Sequence, residues 1–185
     1  MRLFIAIALP PEASAALARI RQQFEPIAGP DLRWSAPEGW HITLQFLGPV
    51  ADNRVPCILD QLRTIHAAPV PIRIRDLGFF DRAGVFWAGI VMTQELLALQ
   101  QLVTVAMRPC GFVPEDRAYN PHITLARTKG RAGSRALDPL KKAIAKSKPT
   151  VGAEFTAGEF LLYESFPTPE GSRYEVHARF PLQQR

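Results

Sequence analysis

Two periodicities divide the chain. Apolar runs and period-two alternation, the signature of strands whose side chains point to opposite faces in turn, fall at residues 2–8, 41–46, 70–80, 84–91, 122–126, 151–165 and 173–180. Helical spacing appears elsewhere. Residues 11–24 place Ala13, Ala16, Leu17, Ile20 and Phe24 three to four apart, and residues 94–107 do the same with Leu96, Leu99, Val103 and Met107. Residues 52–65 predict a third helix with Asp52 as N-cap and Val55, Ile58, Leu59, Leu62 and Ile65 inward. Asp138 caps a shorter, lysine-rich helix with Leu140 and Ile144 inward, and Asp81-Arg82-Ala83-Gly84 predicts a hairpin turn. Uneven alternation of strands and helices, with hairpins, favours an α+β fold with mainly antiparallel sheets over a doubly wound parallel one.

The pattern is duplicated. His41-Ile42-Thr43-Leu44 returns 81 residues later as His122-Ile123-Thr124-Leu125, and the chain has only 4 histidines. The same shift lays residues 3–9 over 84–90, 13–24 over 94–105, Val70-Ile72-Ile74 over Val151-Ala153-Phe155, and Phe79 over Phe160. Such a repeat predicts a pseudo-two-fold arrangement: a single bilobal domain over 1–185, approximate halves 1–81 and 82–185, each half supplying one lobe and the two motif strands facing across a cleft. In either copy Ile and Leu take one face of the strand and His and Thr the other.

Composition bounds the class of partner. With 185 residues, 47% of them apolar, the chain can bury a sizeable core. A formal charge of +5 and a pI near 9.6 suit an anionic partner such as nucleic acid, nucleotide or phosphate. Cys57 and Cys110 lie in no metal-ligand spacing and are expected to be reduced thiols of a cytoplasmic protein, with a disulfide framework unlikely. The first residues resemble a short secretory signal, but Pro10-Pro11 and the repeat argue against one; no apolar run approaches membrane-spanning length. Residues 129–135, rich in Gly and Arg, predict a basic loop after the second motif. No long apolar stripe is left unassigned, so a monomer without an obligate protein partner is expected.

A lone strand histidine is usually a hydrogen-bonded structural residue; a duplicated His/Thr pair is not required by packing. Two imidazoles in opposite protonation states can take a proton from a nucleophile and give one to a leaving oxygen, and Thr43 and Thr124 can donate to phosphate oxygens. A metal site is the first rival, yet HxT brings no carboxylate or cysteine beside the histidines, and the nearest acids, Glu38 and Glu115, lie outside both strands. No metal and no cofactor are expected. Phosphate-loop, dinucleotide-binding and nucleophile-elbow motifs are missing. His66 and His177 lack a threonine two residues on and are read as structural.

The stretches His41-Ile42-Thr43-Leu44-Gln45-Phe46-Leu47-Gly48, Tyr119-Asn120-Pro121-His122-Ile123-Thr124-Leu125-Ala126-Arg127 and Arg2-Leu3-Phe4-Ile5-Ala6-Ile7 closely resemble the two-histidine phosphoesterase superfamily. Within it, the chain is similar over essentially its full length to the RNA 2′,3′-cyclic phosphodiesterases, also called 2′-5′ RNA ligases. That resemblance implies a bilobal α+β fold around a water-filled cleft and metal-independent hydrolysis of a 2′,3′-cyclic phosphate on RNA or a nucleotide to a 2′-phosphate. It implies His122 as general base on water, His41 as general acid on the departing ribose 3′ oxygen, Thr43 and Thr124 on the phosphate oxygens, and Arg127 as a further phosphate ligand. Arg127 is five positions from His122, so strict alternation puts it on the wrong face unless a bulge intervenes or the side chain curls round the strand end. Phe46, Trp34 and Trp40 surround the first motif as candidate base-stacking residues. Joining of RNA ends by the reverse reaction, and RNA binding without catalysis through Lys141, Lys142, Lys146 and Lys148, are the alternative functions.

Overall fold

The protein is described from a computed structural model covering residues 1–114, 116–130, 134–169 and 171–183. In chain order its elements are β1 (Arg2–Ala8), α1 (Pro11–Phe24), β2 (Leu32–Trp34), β3 (His41–Pro49), α2 (Val55–Arg63), β4 (Val70–Phe80), β5 (Val85–Ile90), α3 (Gln94–Met107), β6 (His122–Thr128), α4 (Asp138–Ser147), β7 (Ala153–Ala157), β8 (Glu159–Thr168) and β9 (Gly171–Pro181). The α+β expectation holds. Two antiparallel sheets form, one in the order β3-β1-β8-β9 and the other β2-β6-β5-β4-β7.

The amphipathic stripes found their cores. Ala13, Leu17 and Phe24 of α1, Ile58 and Leu62 of α2, and Leu96, Leu99, Val103 and Met107 of α3 are buried in one cluster with the inward faces of both sheets. Each large apolar side chain so buried stabilises the fold by about 1.5–3 kcal/mol relative to exposure. Thr93 caps α3 by accepting the Leu96 N–H at 3.2 Å. The capping roles expected of Asp52 and Asp138 are not found: Asp52 opens a separate 3-10 turn ahead of α2, and Asp138 is the first residue of α4, neither making a side-chain cap bond. Gly84, at φ 60°, turns β4 into β5 as expected, and a Cβ there would meet Thr128 Oγ1 at 2.1 Å.

The repeat is visible in the pairing registers. Ala8 pairs with His41 and Gly89 with His122; Ala6 pairs with Thr43 and Trp87 with Thr124; Phe4 pairs with Phe46 and Val85 with Arg127. Every one of these pairs maps onto its counterpart by the 81-residue shift. Strand exchange corrects the expectation that each half supplies one lobe: β4, from the first half, pairs with β5, while β8, from the second, crosses to β1. The single strand expected at 151–165 is accordingly two, parted at Gly158, with β7 in one sheet and β8 in the other.

Cys57 on α2 and Cys110 just beyond α3 form a disulfide, Cα to Cα 5.8 Å, across a sequence separation of 53. This corrects the expectation of two reduced thiols. α2 and α3 pack together, a contact that the spacing of the two cysteines in sequence does not reveal. With the reduced thiols goes one of the grounds on which a cytoplasmic location was expected. Among the described residues no helix is long and apolar enough to cross a membrane. Of the basic loop at 129–135, residues 131–133 lie outside the described residues.

Candidate active site

Where β3, the edge strand of its sheet, meets β6 of the other, a cleft of about 720 Å³ opens, lined by His41, Thr43, His122 and Thr124 together. Both histidines are anchored in the same way. His41 Nδ1 lies 2.7 Å from the Gly39 carbonyl and His122 Nδ1 2.8 Å from the Asn120 carbonyl, each two residues back along the chain. A carbonyl oxygen only accepts, so Nδ1 carries the hydrogen and Nε2 is left for substrate. Aromatic rings hold the imidazoles in place: Phe4 at 4.7 Å and Tyr174 edge-on at 5.1 Å around His41, Phe80 edge-on at 4.9 Å against His122.

Burial pushes His41 down to about 4, with the Gly39 carbonyl opposing and the charges of His122 and Arg127 adding to the fall. His122 is also lowered, first by burial and then by Arg127, against the pull of the Asn120 carbonyl. Both imidazoles are therefore neutral at pH 7. Because a charge on His122 disfavours one on His41, the pair takes up a first proton more readily than a second.

A bulge settles the face of Arg127. Leu125 is the extra residue between the Trp87–Thr124 and Phe86–Ala126 pairs, so the alternation slips by one and Arg127 joins His122 and Thr124 in lining the cleft. Leu44 is the matching extra residue in β3, and it turns Phe46 to the cleft by the same means. Phe46, 57% exposed, and Arg127 are thus equivalent positions of the repeat, one aromatic and one cationic.

Trp34 lines the cleft, its ring edge-on to Phe86 at 5.8 Å. Trp40 does not. At 4% exposed it shares the core-facing parity of Ile42, which corrects its assignment as a stacking residue. His66 and His177 are exposed and lie outside the cleft lining. Arg33, Ser35, Arg173 and Tyr174 line the cleft without having been singled out in the sequence; only Arg33, on the three-residue β2, sits in register with a motif strand. Tyr119 joins the two motifs by donating its hydroxyl hydrogen to the Thr43 carbonyl at 3.0 Å, and burial pushes the pKa of that hydroxyl well above the usual phenol value. A second cavity of about 1050 Å³ shares Thr43, Phe46 and His122 with the first and continues over α3. Among the described residues, which do not include Glu115, no three His, Cys, Asp or Glu side chains gather to hold a metal ion.

Two half-buried HxT strands with symmetric registers and equally tethered imidazoles thus share one cleft, and the chain that carries them is a phosphoesterase by family: it belongs to the LigT-like phosphoesterase family, whose model it matches over residues 7–87 and 91–174. The RNA 2′,3′-cyclic phosphodiesterase of Methanocaldococcus jannaschii is 31% identical over 95% of this chain and 98% of its own length. That of Thermus thermophilus is 31% identical over 98% of this chain and 90% of its own. The crystal structure of E. coli LigT complexed with 3'-AMP superposes with a TM-score of 0.80 at 27% identity, covering 99% of this chain and 98% of that one.

Proposed function

We propose that the chain hydrolyses RNA 2′,3′-cyclic phosphates to 2′-phosphates with its two motif histidines as base and acid. The observation that carries this is the paired Nδ1 tether, which leaves two equivalent Nε2 atoms in one cleft beside two threonine hydroxyls. His122 Nε2 takes a proton from water, whose oxygen forms the new bond to phosphorus. The bond from phosphorus to the ribose 3′ oxygen breaks, and that oxygen receives the proton held on His41 Nε2. Thr43 and Thr124 donate to the non-bridging oxygens, and the Arg127 guanidinium adds a charged hydrogen-bond donor. Acid and base contribute about 10²–10⁴ each in rate.

His41 must hold its proton while substrate is bound, although burial disfavours that charge. The phosphate anion supplies the compensating charge next to both rings and beside Arg127. A phosphodiester with a p-nitrophenolate leaving group, which needs no proton, separates the roles: His41→Ala loses far less on it than on the cyclic phosphate, while His122→Ala loses as much on both.

The direct test is a 5′-labelled oligonucleotide ending in a 2′,3′-cyclic phosphate, incubated with chelator. The expected product is the 2′-phosphate, absent with His41→Ala or His122→Ala; an intact cyclic end, or a 3′-phosphate alone, overturns the reading. The second cavity favours one further reading, since a strand with a 5′-hydroxyl placed there would reach the same phosphorus from across Phe46 and His122 and permit 2′-5′ joining by reversal. RNA halves carried to equilibrium would contain a 2′-5′ joined product if so.

A further inference from the structure

Arg33 and Arg127 are direct cross-strand partners in the β2–β6 pair. Residues opposite one another in a sheet project to the same side, and both of these line the cleft. Like charges so placed destabilise a strand pair, more so on β2, which has three residues to hold it in the sheet. Two other arginines of the cleft lining are paired: Arg21 bonds Glu25 at 2.9 Å, and Arg173 bonds Glu175 and lies over Phe166. Among the described residues, by contrast, neither Arg33 nor Arg127 has a carboxylate or a hydrogen-bond acceptor. Two unpaired guanidiniums opposite each other at the mouth of a phosphate-binding cleft are a cost that an anion between them removes.

The terminal cyclic phosphate does not account for both. It belongs beside the imidazoles, whose charge Arg127 alone of the two arginines influences. Arg33 stands one strand further out, its guanidinium passing close by Gly171 at the turn into β9. We propose that Arg33 binds the next phosphate along the RNA chain, the one 5′ to the terminal nucleotide, and with Arg127 forms a clamp that selects oligonucleotide ends over mononucleotides. This rests on the hydrolase reading and deepens it. Single-stranded RNA is commonly held by a basic track along its backbone. A guanidinium suits that role because its fork of N–H donors meets two phosphate oxygens at once.

The test compares 2′,3′-cyclic AMP with an adenosine dinucleotide ending in a 2′,3′-cyclic phosphate, which differ by one phosphodiester. With the dinucleotide, Arg33→Ala lowers kcat/KM about ten-fold more than with the mononucleotide, chiefly through KM, the size expected for losing a charge-assisted hydrogen bond. The slope of log kcat/KM against log salt on the dinucleotide becomes shallower by about 0.7, one phosphate contact on a single strand. Arg33→Lys restores most of the slope but not all of the affinity. The melting midpoint of the empty Arg33→Ala protein does not fall, which separates lost binding from lost folding. Equal losses on the two substrates, or an unchanged salt slope, overturn the clamp. So does a length-dependent loss that appears in Arg82→Ala and Arg108→Ala, lining the second cavity, instead of in Arg33→Ala. Wild-type inactivity on both substrates strikes the hydrolase reading itself, and the clamp with it; wild-type activity with an undifferentiated Arg33→Ala loss strikes the clamp alone.

Discussion

Acidification destabilises this fold through His41, and the size of the effect follows from the site. The imidazole titrates at about 4 in the folded chain against 6.5 in the unfolded one, because burial between Phe4 and Tyr174 disfavours its charged form. The unfolded state therefore binds the proton first. The contribution to stability is fully present above pH 6.5 and is lost as pH falls toward 4. Linkage between those two values gives about 2 kcal/mol lost from pH 7 to pH 5. The ring edge that faces the open cleft trims this to about 1–2 kcal/mol, a sizeable share of a typical folding free energy. His41→Gln removes the titration while leaving other groups in place. Urea unfolding of both proteins at pH 7, 6 and 5, followed by circular dichroism, isolates the term as the difference in pH slope. A wild-type curve that loses stability no faster than His41→Gln over this interval would refute the burial argument.

The remaining predictions concern the supports of the site. Tyr119→Phe removes the hydroxyl that donates to the Thr43 carbonyl at 3.0 Å and lowers urea stability by about 0.5–1.5 kcal/mol, with a drop in kcat as the two motif strands lose their tie. Unchanged values of both would mean that the contact is idle. Reducing the Cys57–Cys110 bridge, which spans a separation of 53, costs about 4 kcal/mol at most, read as a fall in Tm on adding dithiothreitol that Cys57→Ser does not show. An identical Tm with and without reductant would show the thiols to be unpaired in solution. Arg127→Ala lowers kcat/KM about 10–100-fold, and Arg127→Lys recovers part of it by returning the charge without the fork. Full activity in Arg127→Ala would remove this residue from the site.

Much of the architecture could be read directly from periodicity. The two long helices begin and end where their apolar stripes do, at Pro11–Phe24 and Gln94–Met107. Short elements escaped: β2 has three residues, too few for a period, and the break at Gly158 lies inside a continuous alternation. Strand exchange escaped as well, since the repeat reports equivalence of segments and not which sheet each joins. At the site, duplication made His41, Thr43, His122 and Thr124 legible because packing alone gives no reason to repeat a polar pair. Arg127 and Phe46 depended on bulges at Leu125 and Leu44, backbone events that carry no distinct motif: one is followed by the buried Ala126, the other by the half-buried Gln45. Trp40 was misassigned because nearness to the motif outweighed its parity with Ile42, and the disulfide depends on a helix contact made only in three dimensions.

The central claim is that two tethered imidazoles work as one unit on a single phosphorus. A double-mutant cycle in kcat tests it most directly, with wild type, His41→Ala, His122→Ala and the double variant acting on an oligonucleotide with a 2′,3′-cyclic phosphate end. Each single variant is expected to lose about 10²–10⁴ and the double variant little more than the worse single, as for groups that act together. Losses that multiply, or a single variant that turns over like the wild type, would contradict the account.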